Sequence, residues 1–228
     1  PHVHNTKDVG AFKLLRVAGA YWRGNEKNPQ MQRLYGVAFA TQEELDQYLE
    51  NLELAKQRDH RRLGEELDLF TGSQLIGAGL PLFTPRGTIL RDKLNELAQS
   101  YRVNRGYQKV WIPHIAKLDT YKVSGHFEKF PELLRFTSTE SGDELALKPV
   151  NCPHHTQLYA GRPRSYRDLP VKYVETTTVY RDEKSGELGG LTRVRAITQD
   201  DSHVFATEDQ VEEVFSELLD SAKHMYEL

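Results

Sequence analysis

The strand-like segments near the end of the chain follow one another through short turns. Residues 172–180, 191–199 and 202–206 are rich in Val, Thr and aromatic residues, and the first connecting turn is rich in glycine. Parallel strands need a crossover of about a dozen residues or more, whereas antiparallel strands are joined by short turns. This order therefore predicts an antiparallel sheet and argues against a βαβ array. Neither common glycine-rich nucleotide loop follows a strand.

Helical patterns surround these strands, so the sequence predicts an α+β fold with an antiparallel sheet flanked by helices. Thr41 with Glu44 and Thr207 with Gln210 form two capping boxes, and each precedes apolar residues at helical spacing. A third helical pattern follows the Gly- and Pro-rich loop at 69–87. It leads into a predicted strand that ends at a proline, which has no N–H to give to a ladder.

Three segments follow from this order of elements. Residues 1–40 contain two short strand-like runs, residues 41–66 form a linker helix, and residues 67–228 contain the main sheet. The end of the linker, residues 56–62, is densely charged. Such a run is typical of a solvated connector, and the alternative is that Arg61 and Arg62 contact a phosphate backbone.

Composition excludes several classes of protein. The net charge of −3 argues against general coating of a polyanion, and no apolar run approaches the ~20 residues of a membrane helix. A single cysteine excludes a disulfide framework and favours a reducing, cytoplasmic location. The chain starts without Met and ends in a helical pattern that has no stop signal, so we expect it to be part of a longer protein.

The two runs around the glycine-rich turn combine arginines with carboxylates. If Arg181 and Glu183 lie on a strand, they point to one face, as do Arg193, Ile197 and Asp201 on the next strand. Arginine binds phosphate in a bidentate manner, so these groups would suit a triphosphate beside a cationic amine. The alternative for Arg181 with Glu183 alone is a plain surface salt bridge.

Cys152 and His203 flank these runs. Zn²⁺ favours mixed sulfur and nitrogen ligands, and His154 and His155 follow the cysteine directly. Two ligands do not make a metal site, however, and a lone cysteine is most often a small buried apolar residue. Both interpretations remain open on the residues alone.

The charged hairpin resembles motif 2 of class II aminoacyl-tRNA synthetases, which has an aromatic residue, Arg, any residue and Glu, then a loop and a second Arg. Pro113, after a long helix and a strand, resembles motif 1. The surrounding short sequence motifs are similar to those of the threonyl-tRNA synthetase family. They are KPVNCP from residue 148, SYRDLP from 165, and RVR with TQDDSH between 193 and 203. The resemblance covers nearly the whole chain. It implies that residues 1–40 end an editing domain and that residues 67–228 begin the catalytic domain.

The resemblance also implies roles for individual residues. Arg181 would contact the α-phosphate of ATP and the threonine carboxylate, Glu183 the adenine amino group, and Arg193 the γ-phosphate, with Mg²⁺ accompanying ATP. The remaining implied roles are threonine binding by Gln199 and Asp201, zinc binding by Cys152 and His203, a place near the tRNA(Thr) end for His126, and a homodimer interface at Pro113. The implied reaction is ATP-dependent ligation of threonine to tRNA(Thr).

The chain departs from the family pattern in three places. Ile197 stands where an adenine-stacking aromatic residue is expected, Val150 replaces a methionine, and His154 replaces a glycine. The third zinc histidine and the motif 3 arginine are expected beyond Leu228, so we expect the 228 residues alone to be inactive. The alternatives are a non-catalytic synthetase-like protein that binds RNA or a partner, and a zinc-stabilised structural domain.

Overall fold

A computed structural model describes residues 2–130 and 133–227 of the chain. The chain divides into two compact units, Pro1–Arg62 and Leu63–Leu228. Within the described residues, none of the helices combines the length and the apolar character that crossing a bilayer requires. Each unit is described by itself.

The first unit is a hairpin with one helix. Strands β1 (Ala11–Tyr21) and β2 (Gln30–Phe39) pair antiparallel. Helix α1 (Gln42–Gln57) begins at the predicted capping box, in which the Thr41 hydroxyl accepts from the Glu44 amide and the Glu44 carboxylate accepts from the Thr41 amide. Helix α2 (His60–Glu66) follows, so the predicted linker segment contains two helices, and the boundary between the units lies within the second.

The second unit mixes short strands with helices. Its helices after α2 are α3 (Pro85–Val103), α4 (Leu118–Val123), α5 (His126–Lys129), α6 (Cys152–Ala160) and α7 (Val211–Tyr226). Its strands are β3 (Phe70–Thr71), β4 (Leu82–Phe83), β5 (Gln108–Lys109), β6 (Ile115–Lys117), β7 (Arg135–Thr137), β8 (Glu144–Leu147), β9 (Val171–Tyr180) and β10 (Ala196–Phe205). The α+β fold predicted from the sequence, with helices around an antiparallel sheet, is confirmed.

The sheet that organises this unit has the order β10-β9-β5. Strands β9 and β10 pair antiparallel over their full length, and β5 adds a short parallel pairing to β9. Since successive side chains point to opposite faces, the even-numbered residues of the hairpin meet α3. There Gln99 donates to the Thr176 hydroxyl (2.7 Å) and Arg91 donates to the Thr198 hydroxyl (2.9 Å). The odd-numbered residues of both strands are left to face the start of α6.

A second sheet, with the order β6-β8-β7, is antiparallel throughout. It packs with α4 around a buried apolar cluster formed by Leu118, Tyr121, Leu133 and Ala146. Tyr121 and Ala146 are fully buried. The cluster also contacts α6, since the centres of the Tyr121 and His154 rings lie 6.3 Å apart.

Three predicted strands differ from the observed ones. The runs 191–199 and 202–206 are joined in one strand, β10, but it begins only at Ala196, so the prediction that Arg193 shares a strand face with Ile197 and Asp201 is wrong for Arg193. The strand continues between the two runs because the polar residues there have partners: Asp200 pairs with Arg102 (3.6 Å) and Asp201 accepts from Asn151 (2.7 Å). The predicted strand 107–112 contributes only Gln108–Lys109 to β5. Its pairing ends early because the Ile112 amide donates to a side chain, and the proline that follows has no N–H.

The assignment of Arg181 and Glu183 to a strand is wrong. Strand β9 ends at Tyr180, and the Arg181 amide makes one more cross-strand bond, to the Arg195 carbonyl (2.9 Å). The Glu183 amide then donates back to the Arg181 carbonyl (2.9 Å). That bond turns the chain, so the two side chains do not share an extended face.

Candidate functional site

The turn between β9 and β10 is held by an arginine and a buried carboxylate. Arg193 donates to Glu183 Oε2 through Nε (2.9 Å) and lies 2.8 Å from it through Nη2. The same Nη2 lies 2.5 Å from Glu187 Oε2. Glu183 is buried whereas the Arg193 side chain is half exposed. Two residues that the resemblance assigns to ATP therefore bond to each other, and the salt bridge of Glu183 is to Arg193.

Arg195 supports this turn from below. Its Nε and Nη2 both donate to the Glu183 carbonyl oxygen (3.0 and 2.9 Å). Its amide donates to the carbonyl oxygen of Gly79 (2.8 Å). Gly79 has φ +75, and a Cβ there would lie 3.1 Å from the Arg195 nitrogen, so the approach of the two chains favours glycine. Arg195 is thus a structural residue of the turn.

Arg181 differs from both arginines because its Nε is buried without a hydrogen bond in the described part of the chain. Its guanidinium carbon lies 5.5 Å from the centre of the Phe130 ring. A buried N–H without an acceptor is costly. The arrangement therefore leaves a cationic donor suited to an anionic ligand such as a phosphate or a carboxylate.

On the face towards α6, the register of the hairpin gathers the other predicted residues. Asp201 lies opposite Glu175, Gln199 opposite Thr177, and His203 opposite Tyr173. A strand repeats its facing every second residue, so Gln199, Asp201 and His203 lie on one face. The predicted threonine-binding pair and the predicted zinc histidine are thus brought together.

The start of α6 lies over this face. Asn151, fully buried, donates through Nδ2 to Asp201 Oδ2 (2.7 Å). Cys152 is the first residue of α6 and is half buried. Burial raises the pKa of the Cys152 thiol, and the Asp201 charge adds to this effect. A nearby cation would oppose both effects, because a metal stabilises the thiolate.

A buried histidine that the sequence left only as a possible extra ligand makes the closest contact with His203. His155 is fully buried, and its Nδ1 lies 2.8 Å from His203 Nδ1. The two rings are nearly perpendicular, at 88°. Burial lowers the pKa of His155 to about 4, with the His203 charge contributing, so the His155 ring is neutral near pH 7. Behind His155, Glu175 Oε2 lies 3.5 Å from Nε2.

Lys148 was not predicted as a site residue, although it begins the KPVNCP motif that resembles the family. Its side chain is fully buried, and Nζ donates to the Thr177 hydroxyl (2.8 Å). Burial lowers its pKa, whereas the charges of Glu175 and Asp201 raise it. The one available sequence signal was a lysine directly after a short apolar strand, β8. The ammonium balances the two carboxylates on this face.

The structure separates His154 from the site. Its ring is buried, and the centre of that ring lies 6.3 Å from the centre of the Tyr121 ring. Neither nitrogen of the His154 ring has a hydrogen bond within the described residues. Burial lowers its pKa to about 4. Among residues 2–130 and 133–227, no group of three or more His, Cys, Asp and Glu side chains could hold a metal ion. Cys152 and His203 nevertheless have the chemistry that zinc prefers.

Two family models match separate parts of the chain. The model of the tRNA synthetase class II core domain (G, H, P, S and T) matches residues 129–228, and that of the threonyl and alanyl tRNA synthetase second additional domain matches residues 1–35. A threonine–tRNA ligase from Deinococcus radiodurans is 55% identical over 221 residues, which cover 96% of this chain and 34% of the relative. One from Cytophaga hutchinsonii is 48% identical over 230 residues, covering 100% of this chain and 36% of the relative. The chain belongs to the threonyl-tRNA synthetase family.

Solved structures agree with this family. The RNA binding domain of threonyl-tRNA synthetase from Cryptosporidium parvum Iowa II is 37% identical with a TM-score of 0.69, covering 74% of this chain and 42% of that chain. Prolyl-tRNA synthetase from Giardia lamblia, at 22% identity and a TM-score of 0.66, covers 72% of this chain and 34% of that chain and shares the fold. This member of the synthetase family spans about a third of the length of the curated relatives it matches.

Two residues that the family resemblance singled out lie away from the hairpin face. His126 begins α5, contacts Ser124 Oγ (2.9 Å) and stacks on Phe130, the ring that also lies beneath Arg181. Pro113 is exposed and follows β5. The structure therefore links His126 to Arg181 through one aromatic ring, whereas Pro113 lies beyond the short edge strand.

Proposed function

We propose that this chain is part of a ligase that joins L-threonine to tRNA(Thr) in an ATP-dependent reaction through threonyl-adenylate. The observation that carries the proposal is the partnerless, buried Nε of Arg181 at the end of the hairpin whose inner face holds Asp201 and His203. One hairpin thus carries an anion-binding group at its end and a carboxylate and an imidazole on its inner face. An amino acid with its carboxylate at Arg181 would present its amine towards Asp201.

The ATP-binding part of the proposal uses the turn. Arg181 would neutralise the charge that develops at the α-phosphorus when the threonine carboxylate attacks it, with Mg²⁺ on the phosphates. Glu183 would accept from the adenine amino group, and Arg193 would reach the γ-phosphate. Both of these residues already bond to each other, so ATP binding would redistribute the Arg193 hydrogen bonds from Glu183 and Glu187 to phosphate. The half-exposed Arg193 side chain has room to do so.

The threonine-binding part uses the opposite end of the same face. Cys152 and His203 would supply two ligands of a zinc ion, and a third is expected from sequence beyond Leu228. When bound, the ion supplies coordination positions for the amino and hydroxyl groups of threonine. Asp201, held by Asn151, would hold the ammonium, and Gln199 would assist. An apolar pocket alone discriminates poorly between valine and threonine, so a demand for the hydroxyl gives the selectivity.

The proposed assembly is a cytoplasmic homodimer. The exposed face of α3, with Ile89, Leu90 and Leu94 all about half exposed or more, lies on the segment that leads to Pro113. We place the dimer contact on this motif 1 region. The terminal nucleotide of the tRNA would approach His126, next to the Phe130 ring under Arg181.

Amino-acid-dependent ATP–pyrophosphate exchange tests this function. We expect the product of the complete reading frame to exchange with threonine, weakly with serine and not with valine, and the 228 residues alone to be inactive. The Arg181→Lys variant should lose exchange by about 100-fold or more, since lysine lacks the planar fork. Binding of tRNA by the complete protein without any exchange would overturn the proposal and favour the non-catalytic alternative.

A further inference from the structure

The contact between His155 and His203 sets a requirement on protons. Two ring nitrogens 2.8 Å apart form a hydrogen bond only when one carries a proton and the other offers a lone pair. Two directions are therefore open, His155 to His203 or the reverse. Each direction fixes which nitrogen of His203 remains unprotonated on the opposite side of its ring.

The group behind His155 decides between these two directions. Glu175 is buried, and its Oε1 accepts from the Ile112 amide (3.0 Å). Its Oε2 lies 3.5 Å from His155 Nε2, and neither of these two atoms has a hydrogen bond to any described residue. Burial raises the pKa of the Glu175 carboxyl, whereas the Ile112 amide and the charge of the buried Lys148 oppose that shift. The ionised carboxylate, which these two groups favour, is an acceptor only. His155 therefore keeps its proton on Nε2, facing the carboxylate. Its Nδ1 must then be the acceptor.

The remaining proton lies on His203. Because His155 Nδ1 accepts, His203 Nδ1 carries the hydrogen, and the negative charge of Asp201 Oδ2 at 3.9 Å from that nitrogen favours the same arrangement. His203 Nε2 is then the nitrogen with the free lone pair. It has no hydrogen bond within the described residues, and the His203 side chain is 22% exposed.

We infer that Glu175 and His155 are positioning residues that hold His203 as the Nδ1–H tautomer and so leave the lone pair of Nε2 free for a ligand. The inference rests on the proposed function, in which His203 is a zinc ligand, because a neutral imidazole binds a metal only through an unprotonated nitrogen. Outer partners of this kind fix the tautomer and the orientation of a ligating histidine. Neither residue touches the substrate groups assigned above.

The Glu175→Gln variant tests the direction of the hydrogen bond between His155 and His203 without a change of side-chain shape. Ile112 still requires an acceptor, so the glutamine oxygen takes that position and its NH₂ faces His155 Nε2. His155 must then accept at Nε2 and donate from Nδ1. This reverses the hydrogen bond between the two histidines and leaves the proton of His203 on Nε2. Asp200→Asn is the matched control, since this substitution also removes one carboxylate charge but on the other face of β10, beside Arg102.

The readout is the histidine tautomer, obtained from two-bond ¹H–¹⁵N correlations on the metal-free protein labelled with ¹⁵N-histidine. His203→Asn identifies the His203 signals by their loss. We expect the Nδ1–H form of His203 in the wild type and in Asp200→Asn, and the Nε2–H form in Glu175→Gln. An Nε2–H form in the wild type, or the same tautomer in wild type and Glu175→Gln, would overturn the inference. The wild-type spectrum decides the matter even if the variant fails to fold.

A metal titration separates this inference from the proposed function. With Zn²⁺ as the probe, Glu175→Gln should weaken binding by about 10- to 100-fold relative to the wild type and Asp200→Asn. Cys152→Ser should weaken it as well, which tests the zinc site itself. If neither wild type nor variants bind Zn²⁺, the proposed zinc site is wrong, whereas the tautomer spectra still decide the role of Glu175 and His155. Equal Zn²⁺ affinity in wild type and Glu175→Gln would contradict the inference.

Discussion

Removal of one oxygen atom from each of two buried tyrosines should change stability in opposite directions. Tyr121 is fully buried in the cluster with Leu118 and Ala146, and its hydroxyl has no hydrogen bond in the described part of the chain. Burial raises its pKa strongly, which reflects the same lack of a polar partner. Tyr173, only 4% exposed, receives a hydrogen bond from Arg164 Nη2 at 2.5 Å.

The magnitudes follow from these two environments. A buried hydroxyl without a partner carries a desolvation penalty of about 1–3 kcal/mol, and Tyr121→Phe removes it at the expense of a small void. We therefore expect Tyr121→Phe to raise the free energy of unfolding by about 1 kcal/mol. Tyr173→Phe breaks a bond from a charged donor and leaves a guanidinium N–H without its acceptor. It should lower the free energy of unfolding by about 1.5–3 kcal/mol.

Urea unfolding followed by circular dichroism measures both variants. The transition midpoints should move in opposite directions with unchanged slopes, and the thermal midpoints should shift by about 2–4 °C for each kcal/mol in a chain of this size. The two variants make the same chemical change, so the pair controls for the loss of a tyrosine oxygen as such. If Tyr121→Phe destabilises the protein as much as Tyr173→Phe, the Tyr121 hydroxyl has a partner in solution and the reasoning is refuted.

Two further predictions concern a histidine and an arginine. Burial lowers the pKa of His114, and the Lys148 charge adds to this, so below pH 6.5 the unfolded chain binds a proton that the folded chain does not. The free energy of unfolding therefore decreases as the pH is lowered. His114→Gln, which can still bond to Tyr180, should show a smaller decrease in the urea midpoint between pH 7.5 and 5.5. Arg195→Lys removes the planar guanidinium that donates two hydrogen bonds to the Glu183 carbonyl oxygen. We expect it to lower the free energy of unfolding by about 1–2 kcal/mol and to speed amide hydrogen exchange in the turn. Unchanged exchange in the turn would contradict the role of Arg195.

The sequence predicted the antiparallel hairpin well because the relevant rules are local. A strand repeats every second residue, so the shared face of Ile197 and Asp201 follows from spacing alone. The capping boxes at Thr41 and Thr207 are also local, and both are present in the structure. In these cases the residues that decide the structure lie within a few positions of one another.

The strand boundaries were harder to predict because side chains distant in sequence decide them. Asp200 and Asp201 look like a break, yet Arg102 and Asn151 satisfy them and the strand continues. Conversely, the Arg195 guanidinium binds the Glu183 carbonyl and helps end the extended structure after Tyr180. Spacing along the chain contains no information about these partners.

His155 shows most clearly what spacing cannot supply. From the sequence it is one of two adjacent histidines beside a cysteine, and each could be a ligand or a core residue. The fold turns His154 towards Tyr121 and His155 towards His203, because successive residues of a helix point about 100° apart. One of the pair therefore joins the apolar core and the other joins the polar face.

The division of the hairpin into two faces explains how a single pair of strands can carry both stability and binding. The even-numbered side chains bond to α3 through Gln99, Arg91 and Arg102, so that face is committed to the fold. The odd-numbered side chains are held from behind by Asn151 and His155, while His203 and Asp201 stay partly exposed. Polar groups that are fixed on one side and open on the other are already oriented before a ligand arrives. A ligand of this face would then bind without the cost of ordering those side chains.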